Sequence, residues 1–225
     1  MADLDLAVRN ARILDGTGAE PFEGDLEVAG GRITRVGPGG TARAAIEIDA
    51  AGAVLAPGFV DVHTHDDGAV LRHPDLAFKL SQGCTSLVLG NCGFSAAPAV
   101  PGERDPTNLI GVTAAWTDLE GYAAAVAAAA PACNTMALVG HNTVRRLVLG
   151  LDRREPSPAE LERMRREVRR AMEQGACGLS TGLIYEPGRY SATDEIIALA
   201  TEAAAAGGLY TTHLRNEGDR LLDEI

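Results

Sequence analysis

Two hydrophobic rhythms divide this chain. Up to about residue 56, short alternating runs are separated by glycine turns. LAVRNARIL alternates loosely, GDLEVAGGRITRVG reads as two strands around Gly30 and Gly31, and AIEIDAAGAVLAPG as a further strand pair with a turn near Gly52. An isolated hairpin is marginal in water, so strands this short need a partner surface. Residues 1–56 are expected to form a small β domain, or half of one.

From Pro57 the rhythm becomes strand, then helix, repeated over residues 57–225. GFVDVHTH, TSLVLGNCG, NTMALVGHN, ACGLSTGLIY and GLYTTHLRN are short apolar runs of the kind buried on both faces of a parallel sheet. Helix starts lie between them. Thr117 and Glu120 form a capping-box pattern before LEGYAAAVAAAA, Ser157-Pro158-Ala159-Glu160 joins a cap to a first-turn proline, and Ser191 to Asp194 opens DEIIALATEAAAA. Gly83, Gly175 and Gly207-Gly208 stand where helices must stop. Alternating strands and helices predict an α/β fold around a parallel sheet, with about five βα units. The pattern fits either a complete doubly wound sheet or part of an eight-stranded barrel.

Composition narrows the partners. The formal net charge of −11 argues against nucleic acid and anionic membranes, which attract clustered basic charge. The arginines of LERMRREVRR are read as the solvated face of a helix whose Leu161, Met164, Val168 and Met172 form an apolar stripe. No apolar run approaches the roughly 18 residues of a membrane span, and MADLDLAVRN lacks the basic start and apolar core of a signal peptide. A cytoplasmic protein is the expectation. The four cysteines form no disulfide framework and no C-x-x-C pair.

The candidate chemistry collects at strand exits, where parallel barrels carry their active sites. His63 and His65, two apart, would share one side of a strand with Asp61. Alone, that pair suits a metal chelate or a polar strand end equally well. Cys84, Cys133 and Cys177 lie at strand starts, where a small buried residue suffices. Cys92 instead leaves its strand between Asn91 and Gly93, where a thiolate would bind zinc strongly. His213 leaves the fifth strand in the same manner. His141 is read as part of a loop network with Asn142, Thr143 and Arg145, and His73 as marking a helix start. Convergence favours His63, His65, Cys92 and His213 as zinc-compatible ligands.

Together PGFVDVHTHDD, LVLGNCGFS, ALVGHNTVRR, CGLSTGLIYEPG and YTTHLRNEGD resemble the N-acyl-D-amino-acid deacylases (D-aminoacylases) of the amidohydrolase superfamily. The resemblance implies a zinc-dependent hydrolase on a partial (β/α)8 TIM-type barrel, with residues 1–56 as half of a β-sandwich. It implies that Cys92 and His213 serve a tight zinc, that His63 and His65 serve a second, weaker position sharing the cysteine, and that Tyr185 lies near the substrate. The substrate implied is an N-acyl-D-amino acid, deacylated by zinc-activated water. The family's further zinc histidine and its catalytic aspartate would fall beyond residue 225, so no catalytic acid–base is assigned within this chain. The chain is thereby expected to be an N-terminal half, inactive alone, completed by a C-terminal half in cis or in trans. Alternatives are a dihydroorotase-like or dipeptidase-like hydrolase, which GNCGFS disfavours because those enzymes bridge their metals with a carboxylated lysine, and a noncatalytic subunit that pairs with another chain.

Overall fold

A computed structural model describes residues 4–103 and 111–223, and the chain divides into two compact units, Met1–Gly58 and Phe59–Ile225. The first unit is one sheet. Strands β1 (Leu4–Ile13), β2 (Phe22–Ala29) and β3 (Arg32–Gly37) run antiparallel. Gly30 and Gly31 turn the β2–β3 hairpin, both at positive φ, as a two-residue turn of matching twist requires. β4 (Ala44–Asp49) and β5 (Val54–Leu55) do not pair with each other as expected, since both run parallel to β1. The tight turn closed by Ala53 N–H donating to Ala50 C=O carries the chain onward along β1 instead of doubling it back. Val8, Ala11 and Ile13 form this unit's small core.

The second unit holds five parallel strands in the order β10-β9-β8-β7-β6, a half-barrel sheet. They are β6 (Phe59–Asp61), β7 (Cys84–Leu89), β8 (Asn134–Gly140), β9 (Gly178–Gly182) and β10 (Leu209–His213). Between them lie α1 (Ala69–Arg72), α2 (Ala77–Leu80), α3 (Leu119–Ala129), α4 (His141–Leu149), α5 (Pro158–Glu173) and α6 (Thr193–Ala205). The core forms where Leu87, Leu89, Val139 and Leu179 of the strands meet Tyr122, Val126, Val144, Met164, Val168 and Leu199 of the helices. β9 is buried on both faces as expected, but the other strands are not all so: Val60, Met136 and Leu209 are exposed. No helix among the described residues is long and apolar enough to cross a membrane.

Local chemistry sets the helix ends, with three departures from expectation. Ser157 and Glu160 form the full capping box of α5, with Pro158 in the first turn. α3 is capped not by Thr117 but by Asp118, whose carboxylate accepts from Gly121 N–H. α6 starts without a side-chain cap because its N-cap residue is Ala192, and the Ser191 hydroxyl before it donates to Gly188 C=O. His73 ends α1 and does not open a helix. The arginines of α5 are only partly a solvated face. Arg165 and Arg169 pair with the buried Glu202 of α6, which ties the two helices together.

Candidate metal centre

β6 ends at Asp61, so His63 and His65 project from the segment that follows the strand. Asp61 does not join them as a ligand. Its carboxylate meets Lys79 Nζ at 2.6 Å, Asp66 meets the same ammonium at 2.8 Å, and the Thr64 hydroxyl lies 3.1 Å away. Asp61 also accepts from His63 N–H at 3.2 Å. One cation from α2 thus gathers the acidic groups on either side of the histidine pair. The imidazoles meet edge to face, with centroids 5.7 Å apart.

Cys92 lies in the turn after β7, buried, at a φ of 53°. The turn fits because the neighbouring strand ends carry glycine: a Cβ at Gly182 would overlap the Cys92 carbonyl, and one at Gly140 the Gly93 carbonyl. Ligand atoms of His63, His65 and Cys92 all fall within 4.8 Å of one another. The thiol Sγ is 3.2 Å from His63 Nε2. On its other flank, His213 at the end of β10 places Nδ1 3.7 Å from the same sulfur. Tyr185 packs edge to face on His213, its hydroxyl 3.4 Å from Nδ1. The structure therefore brings together all four candidate ligands and the candidate substrate tyrosine.

Burial disfavours charge on both the His65 imidazole and the Cys92 thiol. Burial, then the neighbouring His63, lowers the pKa of His65. Burial, then the Glu217 carboxylate, raises that of the Cys92 thiol. Burial likewise raises the Tyr185 phenol. Glu217 lies 3.5 Å from His213 Nε2, opposite the nitrogen that faces the thiol, the placement by which an acid orients a ligating histidine. Sequence reasoning missed Glu217 and Lys79. Glu217 sits four residues after His213, and nothing short of the folded loop shows that it turns back.

His141 is not in a loop network. It opens α4, fully buried, with Nε2 2.7 Å from Glu195 Oε1. Arg145 pairs with the other oxygen of the same carboxylate. Cys133 is buried and Cys84 and Cys177 are half-buried, all three as free thiols.

A profile of the amidohydrolase family matches residues 47–220. The N-acyl-D-glutamate deacylase of Alcaligenes xylosoxydans xylosoxydans is 40% identical over 99% of this chain, which corresponds to 46% of that enzyme. The D-aminoacylase of the same organism is 38% identical over 97% of this chain and 46% of its own length. The chain thus spans about half the length of the curated relatives it matches. Among solved structures, the N-acyl-D-glutamate deacylase from Bordetella bronchiseptica superposes with a TM-score of 0.92 at 42% identity, covering 98% of this chain and 47% of that one. That protein was crystallised with zinc and a phosphonate inhibitor that mimics the tetrahedral intermediate of its reaction.

Proposed function

The chain belongs to the amidohydrolase family, and from that premise we propose that it builds the metal centre of a zinc-dependent hydrolase that deacylates N-acyl-D-amino acids. The observation that carries this reading is one sulfur with an imidazole nitrogen on either flank, His63 at 3.2 Å and His213 at 3.7 Å. Thiolate and neutral imidazole together favour zinc over magnesium or calcium, so the donor set fits the metal. Cys92 and His213 would hold the tight ion, while His63 and His65 would serve a second, weaker position through the same thiolate.

When bound, zinc supplies Lewis acidity, which lowers the pKa of water and polarises an amide carbonyl. The chain's own residues do the rest of the binding work. Cys92 would give up its thiol proton to hold the ion, which would make loading easier as pH rises. Glu217, 3.5 Å from His213 Nε2, would favour the proton on that nitrogen and leave Nδ1 for the metal. The phenol of Tyr185 stays protonated and offers a hydrogen-bond donor beside that ring, where an acyl-amino acid would lie. The acid–base aspartate implied by the resemblance falls beyond residue 225, so the 225 residues assayed alone are proposed to load metal without turnover.

The test is zinc content after exhaustive dialysis, for wild type and Cys92→Ala, with and without the second half of a full-length relative. Wild type should retain zinc and Cys92→Ala should lose it, and D-amino acid should be released from N-acetyl-D-amino acids only when both halves are present. Equal zinc in the two proteins would sink the ligand assignment. Hydrolysis by the 225-residue chain alone would overturn the division of labour.

A further inference from the structure

Cys92 adopts a left-handed backbone, φ 53°, between Gly90 at 78° and Gly93 at 79°. A residue with a Cβ is strained there and stays only where its surroundings hold it. One side chain grips both ends of this turn. The Ser180 hydroxyl accepts from Gly93 N–H at 3.0 Å and donates to Gly90 C=O. Ser180 is fully buried in β9, the second strand along from β7. Its hydroxyl reaches the turn past β8, whose glycine exit, Gly140, pairs with Ser180 in register. The rest of the turn is secured by backbone bonds, Phe94 N–H to Asn91 C=O and Thr143 N–H to Gly93 C=O, and by Asn91 Nδ2 donating to Val88 C=O.

We infer that Ser180 is a positioning residue for the metal-binding sulfur, its hydroxyl locking the Gly90–Gly93 turn in the one backbone shape that sets Cys92 Sγ between His63 and His213. The inference rests on the metal reading of Cys92. Without the hydroxyl, a buried carbonyl and a buried N–H lose their partner together, and the turn can relax toward the ordinary right-handed or extended backbone. Such a change swings the thiol away from one flanking imidazole.

The test is a cobalt(II) titration of the 225-residue chain, following the thiolate-to-cobalt charge-transfer absorption that reports this sulfur and that Cys92→Ala should lack. Ser180→Ala should keep the wild-type far-UV circular dichroism, require about 10–100-fold more cobalt for half-saturation, and give a weaker band at saturation. Thr181→Ala is the control, because its hydroxyl bonds Thr212 and Tyr210 and not the turn. It should titrate as wild type does even where it lowers stability. A folded Ser180→Ala with wild-type affinity and band overturns the inference while leaving the metal reading intact. A wild type without the thiolate band sinks both. Should Ser180→Ala fail to fold, Ser180→Thr, which retains the hydroxyl, takes its place: a wild-type titration supports the inference, and a folded protein without the band overturns it.

Discussion

Replacing Glu195 by alanine tests how a buried charge cluster braces this unit. Arg145 and His141 are wholly buried and Glu195 is 3% exposed. The carboxylate accepts from His141 Nε2 at 2.7 Å and pairs with Arg145 Nη1, while Arg145 Nη2 donates to Arg154 C=O at 2.5 Å and Nε meets no partner among the described residues. Truncation would leave a guanidinium sealed from water with a single carbonyl to serve it, a situation that costs about 3–5 kcal/mol. Domains have only about 5–15 kcal/mol in hand. With a urea dependence of about 2 kcal/mol per molar, the midpoint should fall by about 2 M. Trp116, the single tryptophan, reports the transition by fluorescence, since it is buried in the same core as Val144 and Leu199. A loss below about 1 kcal/mol would refute the view that the cluster acts as a buried unit. Replacing both charges with Arg145→Met and Glu195→Leu should recover most of the loss, because no unpaired charge then remains. The pH dependence has a definite sign. Burial pushes the Glu195 carboxyl up, but hydrogen bonds and charges from His141 and Arg145 outweigh it and bring the pKa below its ordinary 4.5. This stabilisation is complete above pH 4.5 and fades as pH falls through the lowered pKa, so acid should destabilise wild type more than Glu195→Ala.

Leu179→Ala opens a cavity at a fully buried strand position and should cost about 2–5 kcal/mol by the same fluorescence assay. Asp67 is buried with Oδ1 unpartnered among the described residues, and burial raises its carboxyl from 3.8 to about 6. The folded state therefore binds this proton more tightly than the unfolded chain, so stability should fall by about 2 kcal/mol as pH rises from about 4 to 6 in metal-free protein, at about 1.36 kcal/mol per pKa unit. Asp67→Asn should flatten that slope, and parallel urea-midpoint curves for the two proteins would contradict it. Lys79→Met leaves Asp61 and Asp66 facing each other without their shared cation, and should weaken cobalt binding by about 10-fold with the global fold retained. Unchanged binding would show that Lys79 does not hold the histidine segment.

Much of the second unit was legible because parallel strands announce themselves as short apolar runs closed by glycine, and because α5 carries its start in its own residues, Ser157, Pro158 and Glu160. α4 was not legible. HNTVRRLVL places a histidine and an arginine on what becomes its buried side, and a sequence pattern reads such residues as solvated. Only Glu195, 54 positions further along, makes them core, and no local rule connects residues so far apart. The pairing of β4 and β5 with β1 was hidden for the same reason, since a tight turn near Gly52 suits a hairpin equally well. At the candidate metal centre the sequence by itself supplied the candidate ligand types, a thiol and three imidazoles at the exits of the first, second and fifth strands of the second unit, because side-chain type is a property of the chain. The tertiary structure decided the rest: that Asp61 turns to Lys79, that Cys92 stands between His63 and His213, and that Glu217 and Ser180 lie behind those ligands. Distances across a sheet depend on which strands lie side by side and how closely their glycines let them approach, and neither quantity is written in any one stretch of sequence.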